Sequence, residues 1–213
     1  MNGKTRHLTT MAMLVALAYI VGFFIRIRFM PGAQFLTYDP KDIIIVLGGL
    51  MFGPLSALIM SVSLAFLEMI THSDSGPIGM LMNALGSAAL ACPAAFVYQQ
   101  RRTMVGAISG IVVGILVVVP TMLLWNYIMV PIYMTGVTRE AVTGMLVPIF
   151  LPFNLIKASL NGAVVLIIYK PITDALKAAR LLDTPKSKGK WHWGLMLTAA
   201  FIVLSLILLM IVM

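Results

Sequence analysis

One stretch decides the reading: Leu151-Pro152-Phe153-Asn154-Leu155-Ile156-Lys157-Ala158-Ser159-Leu160-Asn161. It sits inside an apolar run from 142 to 169, and roughly 20 apolar residues suffice to cross a bilayer as a helix. Asn154, Lys157 and Asn161 are spaced three and four apart, so on a helix they form one stripe on one face. Polar side chains are costly in lipid, so the stripe is predicted to face the interior of a bundle. Pro148 and Pro152 remove backbone donors just ahead of it and free carbonyls beside it. Broken helices next to intramembrane polar groups are typical of transporter substrate sites.

Composition extends this to the whole chain. Of 213 residues, 61% are hydrophobic and 10% are charged, against about 25% charged in a soluble domain. The surplus apolar surface must face lipid. Further apolar runs cover 8–25, 42–53, 55–71, 78–98, 104–129 and 194–213. The second is short, and Gly53-Pro54 separates it from the third. The expected architecture is all-α and integral to the membrane: a six-helix bundle over 1–183, a basic linker over 184–193, and one extra transmembrane helix over 194–213. Lys4 and Arg6 ahead of the first run resemble a signal peptide, but hydrophobicity continues to Ile25, which predicts a retained helix.

The net charge of +8 is distributed as membrane topology is written. Ten lysines and arginines fall on the side of the N-terminus and four (Arg26, Arg28, Lys41, Arg139) on the other, which predicts a multi-pass protein of the cell membrane with its N-terminus in the cytoplasm. No basic face interleaved with aromatics appears, which excludes nucleic acid as a partner. Cys92 is the only cysteine, so an intrachain disulfide and a multi-cysteine metal site are excluded.

Other polar residues add to the stripe. Glu68 is the only carboxylate deep within a run; Asn83 and Asn126 lie near the ends of theirs. Together they suggest a ligand with several hydrogen-bonding edges. The alternative reading pairs Lys157 with Glu68 as an internal brace. The loop Phe35-Leu36-Thr37-Tyr38-Asp39-Pro40-Lys41-Asp42 mixes aromatic, carboxylate and amine groups; it reads either as an interfacial belt, as do Tyr127 and Tyr133, or as a lid over the stripe. Gly106, Gly110 and Gly114 repeat every four residues, and Ala12 and Ala16 give the first helix a small face, both suited to close helix contacts.

No catalytic constellation is present. Gly3-Lys4-Thr5 lacks the earlier glycine and strand of a phosphate-binding loop. His7, His72 and His192 have no metal-ligand spacing. Neither an enzyme nor a metal site is expected.

These residues resemble the substrate-capture (S) components of energy-coupling factor (ECF) transporters, specifically the riboflavin-binding branch. The resemblance spans about residues 8–183 and rests on Tyr38-Asp39-Pro40-Lys41-Asp42, Phe52-Gly53-Pro54, Glu68 with Thr71, and Gly76-Pro77-Ile78-Gly79. It continues through Met82-Asn83, Asn126-Tyr127, Pro131-Ile132-Tyr133 and the 150–157 segment. It implies a subunit that binds riboflavin from outside under its first loop, then joins a transmembrane coupling protein and a pair of ATPases. Carried over by position, Asn126, Asn154 and Lys157 read the polar edge of the flavin ring. Leu36, Tyr38 and Met82 contact the ring faces or ribityl chain. Asp39, Lys41, Glu68, Asn83, Tyr133 and Asn161 complete the expected site, and Ala12 and Ala16 meet the membrane partner. Riboflavin is cargo, so no cofactor is implied. The run 194–213 is extra to the family body. A proton-coupled secondary carrier relaying through Glu68 and Lys157, and capture of a different vitamin, are the competing readings.

Overall fold

The computed structural model describes residues 3–30, 33, 35–71, 76–134 and 136–179. The expected linker 184–193 and helix 194–213 lie outside the described residues.

The apolar runs fold as helices because a membrane leaves backbone groups no partner but their own chain. They are α1 (Gly3–Phe24), α2 (Lys41–Phe52), α3 (Pro54–Thr71), α4 (Gly76–Arg101) and α5 (Met104–Tyr133). A short α6 (Arg139–Met145) then passes through a π-helical turn (Leu146–Phe150) into α7 (Leu151–Ala178). Hydroxyls inside these helices turn back on the carbonyl four residues earlier, as Ser61 does on Ala57 and Thr121 on Val117. Among the described residues, five spans are long and apolar enough to cross a membrane: α1, α3, α4, α5 and the continuous 139–176 unit. Large side chains on their outer faces, such as Phe24, Leu116 and Val147, are exposed and suit contact with lipid.

The second run differs. At 12 residues and about 1.5 Å per residue, α2 is too short to span alone. It is instead the central post of the bundle, buried from Lys41 to Leu50 and packed on α1, α3, α4 and α7. An all-round apolar sequence, Ile43-Ile44-Ile45-Val46-Leu47, is what such a position requires. Gly53 separates α2 from α3 with φ +104°, a conformation that Cβ-bearing residues avoid.

α4 and α5 form the closest crossing. A Cβ at Gly110 or Gly114 would run into the carbonyl oxygen of Ala94 or Leu90, so these two glycines of the four-residue repeat form a packing face within the bundle. Gly106 lies apart from that crossing, against Arg101 and Thr103.

The segment between α1 and α2 folds back on itself. Ile27 and Tyr38 exchange backbone hydrogen bonds at 2.9 and 2.8 Å. Phe29, Met30, Ala33 and Tyr38 then pack on Phe153, Ile156 and Leu160 of α7. This covered end of the bundle holds the polar side chains. At the opposite end, Tyr98 of α4 meets Tyr169 of α7, oxygen to oxygen, at 2.6 Å.

Candidate functional site

A cavity of ≈ 210 Å³ lies beneath the α1–α2 loop. The stripe predicted on α7 lines it: Asn154, Lys157 and Asn161 all form part of its wall. The helix is held this way by the adjoining face, where Ile156 and Leu160 bury against the loop together with Phe153, which also lines the cavity. The π-helical turn and Pro152 precede the stripe; such irregular turns often re-aim side chains at functional sites.

Two lysines and three carboxylates meet at this wall. Lys41 Nζ donates to both oxygens of Glu68, at 2.7 and 2.6 Å, and lies 3.4 Å from Asp39 Oδ2. Lys157 Nζ donates to Asp39 Oδ1 at 2.9 Å and stands 4.0 Å from Asp42 Oδ2. Asn83 Nδ2 donates to Glu68 at 2.9 Å, and Ser87 Oγ donates to Asp42. Such pairing and hydrogen bonding is the condition for keeping charges away from water. Arg26 also lines the cavity; counting it, three cations face three anions among the described residues of the wall, whose formal charges balance.

Asp39 is the hub, since it faces both lysines. Burial pushes its carboxyl up, but the Lys157 and Lys41 ammonium groups outweigh burial and hold it down at about 2. Burial pushes the neighbouring Tyr38 phenol above its ordinary range, and the Asp39 and Asp42 charges add to this. Tyr38 therefore stays a neutral donor, and its hydroxyl donates to Asn161 Oδ1 at 3.0 Å.

The amides keep capacity for another partner. Asn126 Nδ2 donates to the Met122 carbonyl and Asn154 Nδ2 to the Phe150 carbonyl, each at 2.7 Å. Each retains its carbonyl oxygen and a second amide proton. Asn161 Nδ2 is buried and has no hydrogen-bond partner among the described residues.

Ten of the twelve residues expected at the site line the cavity: besides the stripe they are Leu36, Asp39, Lys41, Glu68, Met82, Asn83 and Asn126. Tyr38 is not in the wall and reaches it through Asn161. Tyr133 falls elsewhere, packed with Val130, Val142 and Phe150, because it closes α5 beyond Asn126. The Lys157–Glu68 brace does not form: Lys41 takes Glu68, and Lys157 takes Asp39. Ala12 and Ala16 are exposed on α1.

Arg26, Asp42 and Ser87 also line the cavity and are not among the twelve expected site residues, although Asp42 belongs to the loop read as a lid. Ser87 follows Asn83 by four residues, a same-face signal that was available. Arg26 was read only as a topological flank.

The chain matches the family of ECF transporter substrate-specific components over residues 6–169. It is 26% identical over 190 residues to a riboflavin transporter, RibU, of Staphylococcus aureus, an alignment covering 83% of this chain and 99% of that one. A solved structure of the S component of a bacterial ECF transporter superposes with a TM-score of 0.67 at 28% identity, covering 82% of this chain and 99% of the other. The family is one of transport components rather than enzymes, and it carries no resident cofactor. A membrane bundle built around a covered, self-neutralised polar cavity agrees with that match, and the chain belongs to the ECF transporter substrate-specific components.

Proposed function

We propose that this chain captures riboflavin. The observation that carries the reading is a neutral cavity ringed by three amides, Asn126, Asn154 and Asn161, that retain hydrogen-bonding capacity. The isoalloxazine ring is neutral and flat, and its polar edge offers carbonyl acceptors and one N–H donor. Asn126, Asn154 and Lys157 read that edge. Leu36 and Met82 lie against the ring or ribityl chain, while Asp39, Lys41, Glu68 and Asn83 hold the charged wall in register. The RibU relative, named as a riboflavin transporter, supports the same ligand.

The charge asymmetry supports a cytoplasmic N-terminus, which turns the loop-covered end of the bundle outward. Riboflavin is then taken from outside under the loop. Release inward follows docking on a shared transmembrane coupling protein driven by a pair of ATPases. Ala12 and Ala16, exposed on α1, give that partner a flat small-residue face.

The test is a spectrum followed by a titration. The detergent-purified chain is expected to be yellow, or to quench riboflavin fluorescence tightly at one ligand per chain. A colourless protein that leaves the fluorescence unchanged while binding another vitamin would replace the ligand and keep the site.

A further inference from the structure

Tyr38 and Asp39 are consecutive in the loop, and both reach α7. Asp39 takes Lys157 at 2.9 Å, and Tyr38 donates to Asn161 at 3.0 Å. Lys157 and Asn161 are four residues apart, neighbours on one helix face. The loop thus has two anchors, one turn apart, on the stripe that lines the cavity.

The anchors differ. Lys157 is partly exposed, with 20% of its side chain accessible, and its ammonium has further donors to share with a ligand. Asn161 is fully enclosed at 0% exposure. Its Oδ1 is engaged by Tyr38, while its Nδ2 has no partner among the described residues. A buried amide donor without an acceptor is unfavourable, and such groups are uncommon in folded proteins. Asn161 belongs to the cavity wall, with Ala158 one turn before it on the same face.

We propose that Asn161 is a two-sided positioning residue. Its Nδ2 donates to an acceptor atom of the bound ligand, while its Oδ1 keeps hold of Tyr38. One planar amide then carries both contacts, and a ligand acceptor on Nδ2 fixes the amide orientation that presents Oδ1 to the loop. When the ligand draws on the Lys157 ammonium, the Asp39 anchor weakens and the Tyr38 anchor remains. The loop stays shut over an occupied cavity. This rests on the riboflavin reading for its probe but adds a coupling between ligand and loop.

Stopped-flow riboflavin fluorescence on the full-length purified chain tests it. Tyr38→Phe removes the loop anchor and should raise the dissociation rate about fivefold, the effect of one neutral hydrogen bond. Asn161→Leu placed in the Tyr38→Phe background should lose about a further tenfold in affinity, because only the ligand contact remains to be removed. Should the leucine variant not purify as a monodisperse species, Asn161→Ala in the same background answers the same question. A double variant that binds as Tyr38→Phe alone does would show that Asn161 serves only the loop, and would overturn the proposal. Wild-type protein that leaves riboflavin fluorescence unchanged overturns both this proposal and the riboflavin reading. Wild-type binding with equal single and double variants overturns this one alone.

Discussion

The two halves of α7 follow opposite rules. From Leu151 to Asn161 the helix places two amides and an ammonium on the cavity wall. Beyond Asn161 its inward face is apolar: Ala163 and Val165 are buried, and Ile168 and Tyr169 pack on the main core. There the polar contacts are small and internal, Tyr98 with Tyr169 and Thr173 with the Tyr169 carbonyl. One half tolerates charge because the loop and α2 supply Asp39 and Asp42 as partners for Lys157. The other half closes the bundle. In a medium where each unpaired polar group is costly, a cluster of polar groups inside a bundle marks a candidate functional site.

Substitutions that separate the halves can break this contrast. The largest effect is expected for Lys157→Ala, which removes a proposed ligand contact and half of the Asp39 pairing. Riboflavin affinity should fall by on the order of a hundredfold, measured by titration, with the purified protein still folded. Asn154→Ala should cost about tenfold by the same measurement. Unchanged affinity in both variants would remove the proposed site.

Gly114→Leu attacks the scaffold instead. Its side chain would meet the Leu90 backbone, and a loss of about 1–3 kcal/mol in stability is expected, seen as a lower melting temperature. Tyr169→Phe in the far half should cost about 1 kcal/mol of stability and leave riboflavin affinity unchanged. If affinity fell instead, the far half would take part in binding and the contrast would fail.

The smallest effect is expected from pH. Asp39 titrates at about 2, below the ordinary 3.8. A depressed carboxylate contributes stability that is fully present above its unfolded value and is lost only as pH falls through its folded one. The loop anchor through Asp39 should therefore persist unchanged from pH 8 to pH 5, and protease sensitivity of the loop should be flat across that range.

Much of this was legible from spacing. The α7 stripe was readable because three polar residues in a long apolar run admit one helix face. The short run at 42–53 was readable as a separate helix from Gly53-Pro54, but its role as the buried centre was not. Hydropathy reports that a segment avoids water, and lipid and protein interior satisfy it equally. The partners of the charges were also beyond reach. Spacing fixes which residues share a face within a helix, while the Lys41–Glu68 and Lys157–Asp39 pairings depend on how helices are rotated against each other. The loop shows the same limit: the Ile27–Tyr38 bridge joins residues with no local signature, yet it sets Tyr38 against Asn161.

Whether a ligand binds where the polar half of α7 faces the cavity is decided by a structure of the chain purified with riboflavin. A flavin ring is expected in the cavity beneath the loop, with Asn126, Asn154 and Lys157 within hydrogen-bonding distance of its polar edge. A flavin bound elsewhere, or one whose polar edge is turned away from those three side chains, would contradict that placement.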